Sequence, residues 1–314
     1  MFKKLRFLGL TAALVLAITL AACGGGDSEE SSDDDSGNTG GSDNGVELGE
    51  KELTVPYVAW AGAVARTELI GQVLEEVGYD VELKQVEAGP MWSSVADGSA
   101  DFTAAAWLPA THQSYWEKYQ DDLVNVNQVI DKAPLALTVP SYMEDVNSIE
   151  DLKGNDELGE SVDWQIVGID PGAGIMQNTE KALKNYGLDK WELTSSSEAA
   201  MLSELQSKME NEEPIIVPLW KPHWAFAEMD LKMLEDPDEI YGGDGDHIDI
   251  VANKDFEEKS PAAYKVLEQF SSDYELLDSL MGPIHNGEEP ADVISKFLDE
   301  NQDLVDEWTK GVTE

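Results

Sequence analysis

Gln165-Ile-Val-Gly-Ile-Asp-Pro-Gly-Ala-Gly-Ile-Met176 is the stretch from which the rest of the chain can be read. Gln165 to Asp170 reads as a strand, residues 171 to 174 as a glycine-rich turn, and the residues up to Tyr186 as a helix that Gly187 ends. Between a strand and a helix N-terminus, free backbone N–H groups and the helix dipole favour an anion. A dinucleotide fingerprint fails because Gln177 stands where its third glycine belongs, so a small carboxylate suits the turn better.

The same alternation continues on both sides. Downstream, Trp191 to Ser195 reads as a strand, Glu198 to Met209 as a helix and Ile215 to Trp220 as a short apolar strand. Upstream, Leu53 to Trp60, Val81 to Glu87 and Phe102 to Trp107 read as strands. Helices fall over Val64 to Val77 (closed by Gly78), Met91 to Asp97, and from the cap Thr111 through Tyr119. Strands alternating with helices imply parallel sheets with ligands at the carboxyl ends of the strands. Ala133 to Pro140 and His247 to Ala252 read as crossings between the two α/β halves, and Pro261 to Lys310 as three helical pieces. The expectation is a two-lobed clamshell with two hinge crossings. Lobe I covers 51–138 and 252–314, and lobe II covers 139–251.

Three of the nine tryptophans stand at strand ends drawn from both halves: Trp60, Trp107 and Trp220. A single tryptophan is more often core packing, and that reading is kept for Trp92, Trp116, Trp164, Trp191, Trp224 and Trp308. A trio at strand ends points into a crevice. Indole faces attract a cation, and a trimethylammonium group, which has no N–H to strand, suits such a cage better than a simple amine. Gly174 and the turn around it supply the opposite, anion-binding pole. His112, one residue past Thr111, either adds a ring N–H to that pole or sits exposed in a first turn. His223 is a weaker candidate of the same kind, and His247 and His285 read as structural or exposed.

Lys3, Lys4 and Arg6 precede an apolar run from Leu8 to Leu20 that is too short to span a membrane, so residues 1–22 read as a secretory signal. Leu20-Ala-Ala-Cys23 looks like a lipoprotein lipobox, and Cys23 is the only cysteine. A lone cysteine excludes an internal disulfide, a cysteine-rich zinc site and a C-x-x-C motif. Acylation there would tether the chain to the outer face of the cell membrane. Residues 23–50 are glycine, serine and acid, a flexible leash of roughly 30 Å. With 64 acidic against 20 basic residues and a net charge of −44, binding of nucleic acid or anionic lipid is disfavoured. Such an excess suits a surface exposed to high external salt.

Ala59-Trp60, Val86-Glu-Ala-Gly-Pro-Met-Trp92, Ala106-Trp-Leu-Pro-Ala-Thr-His112, Gly168-Ile-Asp-Pro-Gly-Ala-Gly-Ile-Met176 and Trp220-Lys-Pro-His-Trp224 together resemble the glycine betaine-binding lipoproteins of osmoprotectant ABC importers. The resemblance spans Glu52 to Lys310. It implies the type II periplasmic-binding fold, with Trp60, Trp107 and Trp220 around the quaternary ammonium. It also implies that the N–H groups of Gly174 and Ile175, with His112, hold the carboxylate. The implied partners are glycine betaine or proline betaine and an ABC permease with its ATPase subunits, with no cofactor or metal, no nucleic acid, and a monomeric receptor. Pro218-Leu219 precedes Trp220 where relatives often carry Thr-Gly, which bears on the choice among betaines. Choline and carnitine are the alternative ligands in the same fold. A secreted hydrolase is a weaker reading, since the sequence has no G-x-S-x-G or H-E-x-x-H. The Asp244-Gly-Asp246 loop reads as a polar turn rather than a calcium site.

Overall fold

The computed structural model describes residues 46–312. Residues 1–22, read from the sequence as a signal, Cys23, and most of the residues read as a leash lie outside the described residues.

The first half runs β1 (Glu52–Tyr57), α1 (Ala61–Val77), β2 (Asp80–Gln85), α2 (Ala88–Ala96), β3 (Phe102–Leu108), α3 (Gln113–Tyr119) and β4 (Leu123–Ala133). The second continues with β5 (Leu135–Pro140), α4 (Asp156–Ser161), β6 (Gln165–Val167), α5 (Gly174–Asn185), β7 (Glu192–Thr194), α6 (Glu198–Glu210), β8 (Val217–Trp220), α7 (Ala225–Glu228) and β9 (Leu231–Met233). β10 (Asp246–Asn253) then leads into α8 (Phe256–Lys259), α9 (Pro261–Gln269), α10 (Tyr274–His285), α11 (Pro290–Glu300) and α12 (Gln302–Trp308).

The strands form four small sheets, which packing of β1 on β3 and of β6 on β8 groups into two sets. β1 pairs parallel with β2, and β10 lies antiparallel between β3 and β4. In the other set, β6 pairs parallel with β7, while β5 lies antiparallel between β8 and β9. The chain therefore changes sets at Pro134 and returns before Asp246.

Local chemistry accounts for the elements that carry the site. α1 ends at Gly78, whose φ of 110° costs a residue without a Cβ little; its N–H bonds Glu75 O. β3 is buried at every position, and three consecutive alanines, Ala104 to Ala106, let neighbouring elements approach it closely. Four main helices, not three, make the tail, because Asn301 ends α11 and α12 restarts directly after it. α11 and α10 both pack on α1, so the tail completes the first set. The cap of α3 is His112, not Thr111. The eleven-residue β4 was not foreseen: Asn125, Asn127 and Gln128 interrupt its apolar pattern. Asn127 Nδ2 nevertheless bonds Leu267 O, which fastens the strand to the tail.

Candidate functional site

Trp60 follows β1 as the cap of α1, Trp107 is the penultimate residue of β3, and Trp220 closes β8. Trp220 stands edge-on to both others: its ring centroid is 6.3 Å from that of Trp60 at 64° and 6.3 Å from that of Trp107 at 75°. The three indoles are 7%, 6% and 4% exposed, so their faces are desolvated but not sealed into the core. They wall a small cavity, completed by Thr111, His112, Leu135, Ile169, Ala173, Gly174 and Ile175.

The turn after Trp107 is held from two directions. His112 N–H bonds Trp107 O at 2.8 Å, and Trp107 N–H returns a bond to His112 Nδ1 at 3.0 Å. Since Nδ1 accepts, the ring proton sits on Nε2, and that atom is buried with no partner. Burial also pulls the His112 pKa down to about 3, so the ring is neutral and offers an N–H rather than a charge. Beside it, the Thr111 hydroxyl is likewise buried and unpartnered. The backbone N–H groups of Ala110 and Thr111 bond the two oxygens of Asp246, both at 2.8 Å. The sequence marks Asp246 only as part of a polar turn. Its carboxylate in fact braces one wall of the cavity from across 135 residues of chain.

Opposite stands the start of α5. Ala173 is its extended cap, and the N–H groups of Gly174 and Ile175 belong to the first turn, where a helix supplies no acceptors. A Cβ on Gly174 would fall 2.1 Å from Thr111 O, so only glycine lets this helix end reach the facing turn. Tyr115 donates to Gly172 O at 2.8 Å across the same seam. Asp170 accepts from Trp60 Nε1 at 3.2 Å. Burial raises the Asp170 pKa above the usual carboxylate range; Glu87 and Glu198 push the same way, and the Trp60 bond opposes them.

All six candidates from the sequence line this one cavity: Trp60, Trp107, Trp220, His112, Gly174 and Ile175. His112 is buried, not exposed in a first turn. Sequence reasoning missed Thr111, Leu135, Ile169 and Ala173 as lining. Of these, Ile169 and Ala173 stand beside and within the glycine turn and Thr111 was read as a helix cap; Leu135 carried no signal in the sequence. His223 does not line the cavity. It is buried against Trp220 and bonds Glu198 at 3.2 Å. His247 bonds Asp249, and His285 stacks on Trp224 with ring centroids 3.3 Å apart. Trp92 packs behind His112 at 5.5 Å. Among the described residues no three His, Cys, Asp or Glu side chains gather as metal ligands, and no helix is long and apolar enough to cross a membrane.

Two strand sets joined by two crossings, with a small aromatic cavity between them, define a two-lobed α/β binding protein of the type II periplasmic class. The family described as the substrate binding domain of ABC-type glycine betaine transport systems matches residues 51–300, and the chain belongs to it. Lactococcal OpuAC, solved closed with glycine betaine, superposes with a TM-score of 0.77 at 34% identity, covering 83% of this chain and 100% of that one. A glycine betaine/L-proline-binding protein of Borrelia burgdorferi gives a TM-score of 0.79 at 34% identity, over 82% of this chain and 96% of that one. A glycine betaine/carnitine transport binding protein of Listeria monocytogenes is 37% identical over 189 residues; the match spans 60% of this chain and 63% of that relative, just under two thirds of its length.

Proposed function

We propose that the chain is the extracytoplasmic receptor of an ABC importer and that it captures glycine betaine, with proline betaine as a second ligand. The observation that carries this reading is the cavity's polarity: three indoles on one side, and partnerless neutral donors on the other. Trp60, Trp107 and Trp220 hold the quaternary ammonium, each face contributing ~0.5–2 kcal/mol. His112 Nε2–H and the N–H groups of Gly174 and Ile175 hold the carboxylate, at ~1.5–3 kcal/mol for each charge-assisted bond. The Thr111 hydroxyl joins them. Set against an association cost of at least ~4 kcal/mol, these terms leave room for micromolar affinity, about −8 kcal/mol.

The mechanism is closure. Indoles come from both strand sets and the donors from both sides of the seam, so a bound zwitterion favours the closed form by its differential affinity. The lobes we assign follow the strand sets: residues 51–134 with 246–312, and residues 135–245. Docking of the closed form on a permease follows from membership of this family. Acylation at Cys23, with residues 23–50 as a leash, would hold a monomeric receptor at the membrane's outer face.

Isothermal titration with glycine betaine, using choline as the control, tests the reading. One-site micromolar binding with choline much weaker is expected, because choline leaves the carboxylate donors unpaired. Tighter binding of choline would keep the cage and overturn the carboxylate pole, whereas tighter binding of carnitine would keep both poles and move only the choice of zwitterion. Silence toward every methylated cation would make the three tryptophans packing residues.

A further inference from the structure

Glu198 opens α6 in the second strand set and is only 6% exposed, yet its carboxylate serves other elements. Its Oε1 accepts from Ala61 N–H at 3.1 Å and lies 3.2 Å from His223 Nε2. His223 Nδ1 accepts from Ala225 N–H at 3.1 Å, so the ring proton sits on Nε2 and is donated to Glu198. Ala61 is the first residue of α1, and Trp60, the cap residue, offers no side-chain cap bond. A first-turn N–H of the first set, otherwise orphaned, is therefore capped by a carboxylate from the second.

The neighbouring bond has the same direction. Asp170, also in the second set, accepts from the indole N–H of Trp60. Trp60 is thus gripped at two adjacent points, its ring and the amide that follows it, by carboxylates from across the cleft. Both bonds join the two strand sets, so any separation of the lobes would break them.

We infer that Glu198 is a positioning residue: it sets Trp60 against the bound cation and latches the closed form, slowing release without aiding capture. The inference rests on the cage reading given above. The latch is limited by design of its surroundings, because Glu198 Oε2 is left buried without a partner. A stranded carboxylate oxygen offsets part of what the bonds to Ala61 and His223 contribute. Closure therefore still needs the ligand, and the latch adds residence time to a complex the ligand has already formed.

Stopped-flow tryptophan fluorescence on the wild type, Glu198→Gln and Glu198→Ala tests this with glycine betaine as the probe. Glu198→Ala is expected to raise the release rate about tenfold or more, the equivalent of one charge-assisted bond, while the capture rate stays within about twofold. Glu198→Gln keeps an acceptor for Ala61 and His223 without the charge, so it should fall between the two. Release within about twofold of wild type in both variants overturns the latch. So does a capture rate that drops as far as release rises, because that is the mark of general structural damage. A wild-type chain that binds no betaine removes the cage reading and the latch with it, an outcome distinct from wild-type binding with unaltered release in the variants.

Discussion

Trp107-Leu-Pro-Ala-Thr-His112 and Trp220-Lys-Pro-His223 are built from the same parts: a strand-end tryptophan, a cis prolyl bond at Pro109 or Pro222, and a buried histidine. They differ in what holds the ring. In the first turn Nδ1 takes the Trp107 amide and nothing takes Nε2. In the second Nδ1 takes the Ala225 amide and Glu198 takes Nε2. One histidine keeps a donor for a ligand, and the other has spent its donor on a carboxylate of its own lobe, the one that also caps α1. Residue type and burial are shared, so the second partner alone decides which histidine can act on a solute.

The tryptophans offer the largest test of this pairing. Trp220 meets both other indoles, whereas Trp107 has only Trp220 within ring-contact range. Trp220→Ala should remove one cation–π face and the packing that orients the other two, lowering betaine affinity by ~100-fold or more in a titration. Trp107→Ala should cost less, by a factor of several. Equal losses would mean that the two turns contribute as independent walls and that the edge-on contacts of Trp220 carry nothing.

Next comes the difference between the histidines. His112→Gln should lower betaine affinity by ~10-fold, because the charge-assisted bond from Nε2 is lost or misplaced. Its effect on stability carries a pH signature. The native pKa is pulled down to about 3, below the ordinary value of 6.5. Between those two values the unfolded chain binds one more proton than the native one. Stability associated with His112 is therefore fully present above pH ~6.5 and is lost as pH falls toward 3. The slope is about 1.4 kcal/mol per pH unit, and replacing the residue should remove it. Denaturant titrations at pH 7, 6 and 5 check this: the wild type should weaken relative to His112→Gln on acidification. Parallel curves would mean that His112 is protonated in the native state, which would turn a neutral donor into a cation.

Much of the architecture was legible because alternation of strands and helices and the punctuation by Gly78 and Gly187 are local signals. Trp60, Trp107 and Trp220 stood out for the same reason: strand ends are recognisable from the sequence that precedes them. The supports were not legible. Asp246 braces Ala110 and Thr111, and Glu198 caps α1, across sequence separations of 135 and 137 residues. Nothing in the local sequence of either acid marks it among 64 acidic residues. His112 and His223 could be ranked but not separated by role, because the tautomer of each is fixed by amides and carboxylates that only the fold brings near. β4 was missed because its polar residues find partners that an apolar-pattern reading does not see: Asn127 bonds carbonyls of the tail, Asn125 bonds Asp249 of β10, and Gln128 bonds Asp131 of the same strand.

Thr111 gives the smallest and most selective test. It was expected to cap α3, but its side chain makes no such bond, and its hydroxyl is buried without a partner where it lines the cavity. The turn after Trp220 has no counterpart, since His223 follows Pro222 directly. Thr111→Val keeps the shape and removes only the hydroxyl. If that hydroxyl donates to the ligand carboxylate, betaine affinity should fall by a factor of about three to ten while binding of a cation lacking a carboxylate, such as choline, stays unchanged. The unliganded chain should melt no lower than wild type, and even slightly higher, because a stranded polar atom has been removed from a buried site. Unchanged betaine affinity would place the hydroxyl outside the carboxylate pole and leave His112 and the two amides of α5 to hold it. A loss shared equally by betaine and choline would instead show that Thr111 shapes the cage, making the polar and aromatic ends of the first turn one unit rather than two.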